Sequence, residues 1–422
     1  MNIYILKKKN KSHYNEGVLM RNKETLFSIS LASATLVLFF ILFPFTALAA
    51  SEQNSLFKIN ETRITTSESA SLPDIYGNYI VWQNGTDADF TNIGVYDLST
   101  HKETKISTNL LTVPREPKIY GDRVVWIDSK NGSYNEYGDY DIFDIYMYNL
   151  STSEKTQITT SGSASWPTVP VIYGNRIVWD ETRNNSTNVY VYDLSIHKET
   201  QITNEWGFQR PAVYDDRIVW EKTNSSQCND DICVQRDDVH VYNISTNNTT
   251  RIINGKANYY RLAISGDNIA WQSWINGGSD VNVYNLSTGK NTQITNNGGA
   301  LCPDIYGDRI VWTDDRNGNA DIYMYNLSTS RETQITNNPA AQACPAIYEN
   351  KIVWEDYRNG NKSSDFVKNS DIYMGIISGE EPEFKTPFAN MSSNASEGNA
   401  SLSVQYTNRS ENETGTNTTL AR

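Results

Sequence analysis

The sequence predicts an all-β fold, a seven-bladed β-propeller with four antiparallel strands in each blade. Three observations predict it: one four-strand repeat recurs along the chain, its middle strands are apolar on both faces, and the two ends of the repeat region are complementary. The repeats lie between residues 60 and 379 of a chain of 422 residues. Residues 1–50 are expected to be a leader, and residues 380–422 a disordered tail rich in Ser, Asn and Thr.

The clearest repeat runs from residue 303 to residue 336 and reads PDIYGDRIVWTDDRNGNADIYMYNLSTSRETQIT. Its Gly-Asp and Asn-Gly pairs favour tight turns, whereas Val, Ile, Trp and Tyr favour pleated, buried strands. The repeat therefore predicts a meander of four strands, here called a to d. In strand c, Ile322 and Met324 point to one face, and Tyr323 and Tyr325 point to the other. A sheet that is apolar on both faces must pack between two neighbours.

The tryptophan of strand b marks seven copies of this repeat. Periods of about 40 to 45 residues with four strands each are typical of propeller blades. A solenoid or a string of separate hairpins is the alternative interpretation. The seven residues are Trp82, Trp126, Trp179, Trp220, Trp271, Trp312 and Trp354.

The ends of the repeat region favour a closed ring. Ile64 stands 18 residues before Trp82. The same spacing separates the strand-d residue Ile202 from Trp220, so Ile64 belongs to a strand d that has no blade in front of it. The seventh copy has a strand c at residues 371–374 and no strand d after it. We expect the N-terminal strand to complete the last blade, which removes the open sheet edges.

Connection lengths divide the predicted ring into a constant face and a variable face. The distance from the first residue of strand c to the isoleucine of strand d is the same in the first six copies. The distance from the strand-b tryptophan to strand c, in contrast, ranges from 9 to 18 residues. The b–c and d–a connections of a propeller emerge on the same face, so binding is expected there. Aromatic residues on this face could stack on sugar rings, anchor a protein, or fold down over the channel mouth. The candidates are Trp166, Trp206, Trp274, Tyr134, Tyr137, Tyr140, Tyr259 and Tyr260.

Charge and the N-terminal segment indicate the class of partner and the location. A net charge of −13 argues against nucleic acid, whose phosphates attract basic patches. Arg21 and Lys23 precede an apolar run over residues 26–50 that ends in Ala47-Leu48-Ala49, which is typical of a secretory signal peptide. An uncleaved anchor is the alternative, and membrane contact is expected only through this segment. We expect a monomer that is secreted or attached to the cell surface.

Asn-x-Ser/Thr sequons are dense downstream of the leader, which fits an exported glycoprotein. In the copies that read Asn-Leu-Ser, the asparagine is explained by its role in the turn and needs no glycan. Asp97 and Asp193, which cannot be glycosylated, occupy the same repeat position. The glycosylation candidates are Asn84, Asn131, Asn184, Asn224, Asn248, Asn361, Asn390 and Asn394.

The four cysteines are candidates for two disulfides. Cys228 and Cys233 lie in one long b–c loop and could close it. Cys302 and Cys344 precede proline at the same position of consecutive blades, so a bridge is possible if their Cα atoms lie within about 7 Å. Two buried thiols are the alternative. A zinc site is disfavoured, because neither pair has the CxxC spacing.

Little in the sequence indicates catalysis, and we assign no catalytic residue, metal ligand or cofactor. His101 and His197 fall in equivalent c–d turns, and His240 lies within a strand c. No Gly-x-Ser-x-Gly, HExxH or phosphate-loop motif is present. Residues 315–321 resemble a calcium loop, but the glycine comes too early and Asn326 stands where the bidentate Glu belongs, so calcium is disfavoured.

Acidic and basic residues alternate just after three of the strand-b tryptophans, and we expect them to pair on the surface across the b–c turn at about 0 to 1 kcal/mol each. These pairs are Asp314 with Arg316, Asp356 with Arg358, and Glu181 with Arg183.

The repeat IYGDRIVW-x-D-x-RNGN-x-DIYMYNLST-x-x-ETQIT resembles the TolB-like β-propeller repeats of archaeal cell-surface proteins over residues 62–377. The resemblance implies an exported scaffold that binds a cell-envelope protein or glycan, and it carries over no catalytic residue. A purely structural envelope component is one alternative. A polysaccharide-active lyase or hydrolase is another, although lyases of this kind use histidine clusters in the channel that this sequence lacks.

Overall fold

The computed structural model has seven four-stranded antiparallel sheets arranged in a ring, and this architecture confirms the predicted seven-bladed β-propeller. The chain divides into units at residues 1–53 and 54–422, and every described residue belongs to the second. The structure describes residues 58–86, 89–107, 114–129, 143–160, 169–183, 186–204, 209–229, 232–255, 258–275, 277–360, 370–378, 391–393 and 406–408.

Blades 1 to 6 each consist of four strands that follow one another in sequence, from the channel outwards. Blade 1 holds β2 (Ala70–Tyr76), β3 (Tyr79–Thr86), β4 (Asp89–Asp97) and β5 (Lys102–Lys105). Blade 2 holds β6 (Arg115–Tyr120), β7 (Arg123–Ser129), β8 (Phe143–Asn149) and β9 (Glu154–Gln157). Blade 3 holds β10 (Val171–Tyr173), β11 (Arg176–Arg183), β12 (Ser186–Asp193) and β13 (Lys198–Gln201).

The next three blades repeat this order. Blade 4 holds β14 (Ala212–Tyr214), β15 (Arg217–Asn229), β16 (Ile232–Asn243) and β17 (Asn248–Ile253). Blade 5 holds β18 (Asn258–Ser265), β19 (Asn268–Ile275), β20 (Gly278–Asn285) and β21 (Lys290–Gln293). Blade 6 holds β22 (Ala300–Tyr306), β23 (Arg309–Asp314), β24 (Asp321–Asn326) and β25 (Arg331–Gln334).

Blade 7 is assembled from both ends of the propeller, as predicted. It consists of β26 (Gln342–Tyr348), β27 (Lys351–Asp356), β28 (Asp371–Ser378) and, outermost, β1 (Lys58–Arg63). β1 runs antiparallel to β28, with Lys58 opposite Ser378. Just beyond β1, the Ile64 N–H donates to the Ile372 carbonyl at 2.8 Å. The N-terminal strand therefore closes the ring, and it begins further upstream than the repeat pattern indicated.

The core lies between adjacent blades, because strand b buries residues on both of its faces. Val178 and Val189 of blade 3, for example, pack with Ile218 and Trp220 of blade 4. All seven strand-b tryptophans are at most 2% exposed. Burial of large apolar side chains on this scale is the main stabilising contribution of the fold.

Each strand-b tryptophan also meets a cross-strand partner in strand c. In blades 2, 3, 6 and 7 this partner is a tyrosine whose ring stacks on the indole. His240 takes the same position against Trp220, which gives this histidine a packing role. In blade 1 the partner is Gly94, where a Cβ atom would lie 2.3 Å from the Trp82 ring.

The predicted surface ion pairs form, but their acidic members are buried, which corrects the expectation. Arg316 Nη2 lies 2.6 Å from Asp314 Oδ2, and the Asp314 side chain is 0% exposed. The carboxylate also accepts the indole N–H of Trp312 at 3.0 Å.

The arginine of each pair makes further contacts. Arg316 bonds Glu332 of strand d at 2.6 Å and covers the Tyr323 ring at 4.4 Å. Each acidic residue comes two positions after a buried tryptophan in strand b, so its carboxylate lies beneath the arginine and next to the indole. Blades 3 and 7 repeat the arrangement at Glu181 with Arg183 and at Asp356 with Arg358.

Two further observations concern the parts of the chain outside the propeller. Within the predicted tail, β29 (Met391–Ser393) pairs with β30 (Tyr406–Asn408). The leader and the remainder of residues 380–422 lie outside the described residues. Across the residues that the structure describes, no helix is long and apolar enough to span a membrane.

Candidate functional site in the channel and on the variable face

The inner strand of each blade lines the central channel, and it follows a common residue pattern. In five of the seven inner strands the register with strand b shifts partway along, which marks a β-bulge. The residue four positions before the end of the strand has a positive φ in six blades, an uncommon conformation for a residue with a side chain. These residues are Leu72, Glu116, Arg210, Arg261, Cys302 and Cys344.

In four blades, the bulge residue is hydrogen-bonded to the blade before it. The N–H of Cys302 donates to Gln272 Oε1 at 3.2 Å, and the N–H of Cys344 donates to Thr313 Oγ1 at 2.9 Å. Both acceptors directly follow a strand-b tryptophan. The same bond links Leu72 to Glu355 at 2.7 Å and Glu116 to Gln83 at 3.1 Å. Because the unusual backbone is fixed by this bond, the side chain at the bulge is held in a set position at the channel wall.

Charged and thiol groups meet at the end of the channel nearest the variable face, at a set of residues that we call the mouth tier: Glu116, Arg261, Cys302 and Cys344. The two Sγ atoms are 3.4 Å apart, and both groups are thiols in this structure. The thiolate form of Cys302 is the main influence that raises the pKa of Arg261, and Cys344, Glu116 and Glu355 raise it further. Arg261 therefore interacts with groups on several blades around the channel.

Two residues further along each inner strand, a second set of charged residues forms the middle tier: Asp74, Lys118 and Asp304. Lys118 Nζ lies 3.6 Å from Asp74 Oδ1. Each carboxylate also accepts a backbone N–H from the next blade, Asp74 from Ile119 at 2.8 Å and Asp304 from Ile347 at 2.9 Å. Burial raises the pKa of Asp304 to about 6. Burial acts to lower the pKa of Lys118, but Asp74 and Asp304 outweigh it and raise that pKa.

A ring of tyrosines, the tyrosine collar, surrounds the channel at the constant face. Neighbouring ring centroids are 4.5 to 4.9 Å apart and the rings are tilted against one another. Ser265 of blade 5 stands at the seventh position, where its hydroxyl accepts the Gly307 N–H at 2.9 Å. In ring order the members are Tyr214, Tyr173, Tyr120, Tyr76, Tyr348 and Tyr306.

The collar is a neutral aromatic surface. Burial raises the pKa values of Tyr76, Tyr120, Tyr173, Tyr306 and Tyr348, so these phenols stay protonated at neutral pH. The channel thus changes along its length from charged groups and thiols to phenol rings. The sequence analysis did not predict the collar, although its signal is present as the tyrosine that comes directly before six of the seven a–b turns.

On the variable face, three apolar side chains of blades 5 and 6 are exposed, and we call them the apolar patch. Trp274 is 43% exposed, Ile275 51% and Leu301 36%. Trp274 and Ile275 end strand b of blade 5, and Leu301 lies near the start of strand a of blade 6. Ser279, which pairs with Trp274, donates its hydroxyl to the Ala300 carbonyl at 2.6 Å. The b–c hairpin of blade 5 is therefore fixed to the segment that carries Leu301.

The other candidate aromatics are only partly described. Trp166, Trp206, Tyr134, Tyr137 and Tyr140 lie outside the described residues. Tyr259 and Tyr260 belong to β18, where the Tyr259 backbone pairs with Ser273, next to Trp274. Among the eight candidates, Trp274 is therefore the one whose side chain the structure shows, and it is exposed on the expected face.

The sequons differ in the parts that the structure shows. Asn84 is 8% exposed, and its Oδ1 accepts the hydroxyls of Ser67 and Ser69, so a glycan there would disrupt a buried contact. Asn248 is exposed at the start of β17, and Asn224 belongs to β15, where its backbone alone is described. The remaining candidates, Asn131, Asn184, Asn361, Asn390 and Asn394, lie outside the described residues.

Two other segments singled out in the sequence have clear positions. The Cys228 backbone pairs with Cys233 across the β15–β16 hairpin, and their side chains are outside the description. The calcium-like segment is a b–c turn, in which the Asn319 amide donates to the Asn338 carbonyl at 3.0 Å and Asn317 donates to the Tyr323 hydroxyl. No group of three or more metal-binding side chains occurs among the described residues.

Comparison with solved structures shows the same fold in distant proteins. The β-propeller domain of the Trilobed protease from Pyrococcus furiosus matches with a TM-score of 0.58 and 11% identity, over 74% of this chain and 96% of that one. Oligogalacturonate lyase from Vibrio parahaemolyticus matches with a TM-score of 0.53 and 13% identity, over 76% and 94%. Acylaminoacyl peptidase of Pyrococcus horikoshii matches with a TM-score of 0.55 and 10% identity, over 74% of this chain and 52% of the peptidase.

These similarities show the fold alone, because identities of 10 to 13% carry no site residues. This chain spans about half the length of the peptidase. No protein-family model and no curated protein matches the sequence. The TolB-like resemblance and the cell-surface location therefore stay predictions.

Proposed function

We propose that this protein is an exported propeller scaffold that binds a protein or a glycan of the cell envelope on its variable face. The channel and the variable face are the two candidate binding surfaces of the ring. In the described part of the channel, charged residues are largely paired with one another, as Lys118 is with Asp74 at 3.6 Å. The variable face, in contrast, presents apolar groups to solvent.

The apolar patch is the observation that carries the proposal. Among the described residues, exposed large apolar side chains are few, and three of five lie on this face. Exposed aromatic and aliphatic groups on a rigid scaffold are typical of a binding surface. Tryptophan is also the residue that most often dominates protein interfaces and that stacks best on flat apolar ligands.

Export is supported by sequence features alone. The basic start and apolar run of residues 21–50 precede the propeller, and sequons are dense downstream of this segment. The partner is accordingly expected among envelope proteins and glycans. Cell fractionation, with the mature N-terminus determined by sequencing, tests this part separately.

Two variants on the apolar patch and one control variant test the binding surface. Purified protein is applied to a glycan array and to solubilised cell envelope, and bound partners are quantified for the wild type, Trp274→Ala, Ile275→Ser and Ile196→Ser. Ile196 is 65% exposed in a c–d turn on the opposite face, so it controls for the loss of any exposed apolar group. We expect Trp274→Ala to weaken binding about thirty-fold or more, since central aromatic anchors contribute about 2 kcal/mol or more.

The outcomes separate the classes of partner. Binding to a defined sugar that Trp274→Ala abolishes identifies a glycan, whereas capture of one envelope protein with the same loss identifies a protein. Equal binding by Trp274→Ala, Ile275→Ser and Ile196→Ser would contradict the proposed surface. Retention in the envelope fraction without a saturable partner would instead favour a purely structural component.

A further inference from the structure

The thiols of the mouth tier belong neither to the buried hydrophobic clusters between blades 5, 6 and 7 nor to the apolar patch. Cys302 and Cys344 are partly exposed, and their Sγ atoms are 3.4 Å apart across the seam between blades 6 and 7. A disulfide bond is about 2.05 Å long, so the sulfurs must approach by about 1.4 Å, which side-chain rotation can supply.

The backbone holds both residues in matching conformations. Cys302 has a φ of 53° and Cys344 a φ of 50°, and each precedes a proline. Their N–H groups are bonded to Gln272 and Thr313 of the preceding blades. Because both Cα positions are fixed by the same local structure, the two sulfurs stay adjacent in the folded protein and need no rearrangement of the blades to meet.

The surroundings make the two thiols unequal. The hydrogen bond with Cys344, followed by the positive charge of Arg261, lowers the pKa of Cys302 to about 7, against burial and Glu355, which act to raise it. The same hydrogen bond raises the pKa of Cys344. Thiolate is the reactive form in disulfide exchange, so Cys302 is the thiol suited to react first.

We propose that Cys302 and Cys344 are a redox-responsive dithiol, which low-molecular-weight disulfides convert to a disulfide between blades 6 and 7. The Cys302 thiolate attacks one sulfur of RS–SR, the RS–SR bond breaks, and RS⁻ leaves and takes a proton from water. Cys344 then gives its proton to solvent and attacks Cys302 Sγ, which releases the second RS⁻. Two electrons pass from the protein thiols to the small disulfide, which becomes two RSH.

Thiol counting tests the pair directly. The chain contains four cysteines, so Cys228→Ser combined with Cys233→Ser leaves only the mouth-tier pair. This variant is reduced, incubated with glutathione disulfide at pH 7, alkylated and weighed by mass spectrometry. We expect both thiols to be lost without a retained glutathione adduct, and a peptide map that joins Cys302 to Cys344. Two stable glutathione adducts, or two thiols that both remain, would overturn the proposal.

Single variants in the same background test the order of events. With Cys344→Ser the reaction should stop at a glutathione adduct on Cys302. With Cys302→Ser the remaining thiol should react several-fold more slowly, because burial and Glu355 still raise the pKa of Cys344 and leave little thiolate at pH 7. Equal rates in the two variants would contradict the assignment of Cys302 as the first to react.

Arginine variants test the electrostatic part. Arg261→Met should slow the first step, whereas Arg210→Met should leave it unchanged. Arg210 occupies the same bulge position in blade 4, where its guanidinium lies 3.8 Å from Glu221. A thermal melt of each variant establishes that the propeller is folded before rates are compared, and equal slowing by both arginine variants would contradict the role of Arg261.

Discussion

Arg63 and Asp371 form an ion pair, with Nη2 and Oδ2 2.6 Å apart, between residues separated by 308 positions in the sequence. Asp371 is 0% exposed, and it also accepts the Thr65 hydroxyl at 3.0 Å and the Glu68 N–H at 3.2 Å. One carboxylate at the start of β28 therefore fixes the whole segment that follows β1. It is the polar counterpart of the strand pairing that closes the ring.

Replacement of Asp371 should loosen the contact between the N-terminal strand β1 and the rest of blade 7. We expect Asp371→Ala to lower the free energy of unfolding by about 2 to 4 kcal/mol, because it removes a buried acceptor of four hydrogen bonds. Asp144→Ala is the matched control, since Asp144 accepts from Gln157 and Thr159 within a blade made of continuous chain. Limited proteolysis should cut near residue 64 only in Asp371→Ala. Equal cleavage in both variants would show that Asp371 has no special role in closure.

The buried ion pairs beside the tryptophans should depend on pH. Burial alone would raise the pKa of Asp314, but the bonds from Arg316 and Trp312 lower it below its usual 3.8. This lowered pKa contributes stability that is present above pH 3.8 and lost as pH falls through the folded pKa. Arg316→Met should therefore cost about 1 to 3 kcal/mol at pH 7 and less at pH 3.

Denaturant unfolding at the two pH values measures this difference. Arg331→Met is the control, because Arg331 is exposed in strand d of the same blade. A loss from Arg316→Met that stays constant between pH 7 and pH 3 would indicate packing over Tyr323, and not the charge, as the main contribution.

Gly94 should not tolerate a side chain. An added Cβ atom would lie 2.3 Å from the Trp82 ring, so Gly94→Ala is expected to destabilise the protein by about 1 to 3 kcal/mol. A double-mutant cycle with Trp82→Phe, followed by chemical denaturation, tests the cause. The cost of Gly94→Ala should shrink when the smaller ring is present, and additive effects would argue against a direct clash.

Asp304 of the middle tier should make the free energy of unfolding fall as pH rises, which is opposite to the effect of Asp314. Burial raises the pKa of Asp304 to about 6, so its contribution is full below the unfolded pKa of 3.8 and is lost as pH rises through about 6. Asp304→Asn keeps an acceptor for the Ile347 N–H but cannot ionise. Between pH 4 and pH 7 the variant should gain about 1 to 2 kcal/mol relative to the wild type.

Thermal melts across this range provide the measurement. The charged groups that face Asp304 are Lys118 and Asp74, and both are unchanged in the variant. Parallel stability profiles for the wild type and Asp304→Asn would show that water in the channel solvates this carboxylate fully.

The ring and its closure could be predicted because both depend on spacing within the chain. The position of Ile64 before Trp82 was enough to assign the N-terminal strand to blade 7. The adjacency of Cys302 and Cys344 likewise follows from equal positions in consecutive blades. Spacing within the chain does not show which side chains are buried. The sequence therefore predicts Asp314 on the surface, although it packs under Arg316.

The tyrosine collar could not be predicted from single repeats, since each tyrosine resembles any aromatic residue at the end of a strand. Only the closed ring brings Tyr76 within 4.5 Å of both Tyr120 and Tyr348. The variable face was predicted from loop lengths, but the exposure of Trp274 and Leu301 depends on how the blade 5 hairpin is fixed to the segment before β22. That contact joins distant parts of the chain and has no local sequence signal.

The placement of β1 against β28 determines how the protein responds to force. Lys58 and Ser378 are paired at the same end of blade 7, so pulling on the two ends of the propeller loads this one pair first. Antiparallel strands pulled from the same end separate one hydrogen bond at a time, and no bonds share the load. Force applied between the two termini would therefore peel the outermost strand away at low force, while the six continuous blades carry no tension until this strand has separated.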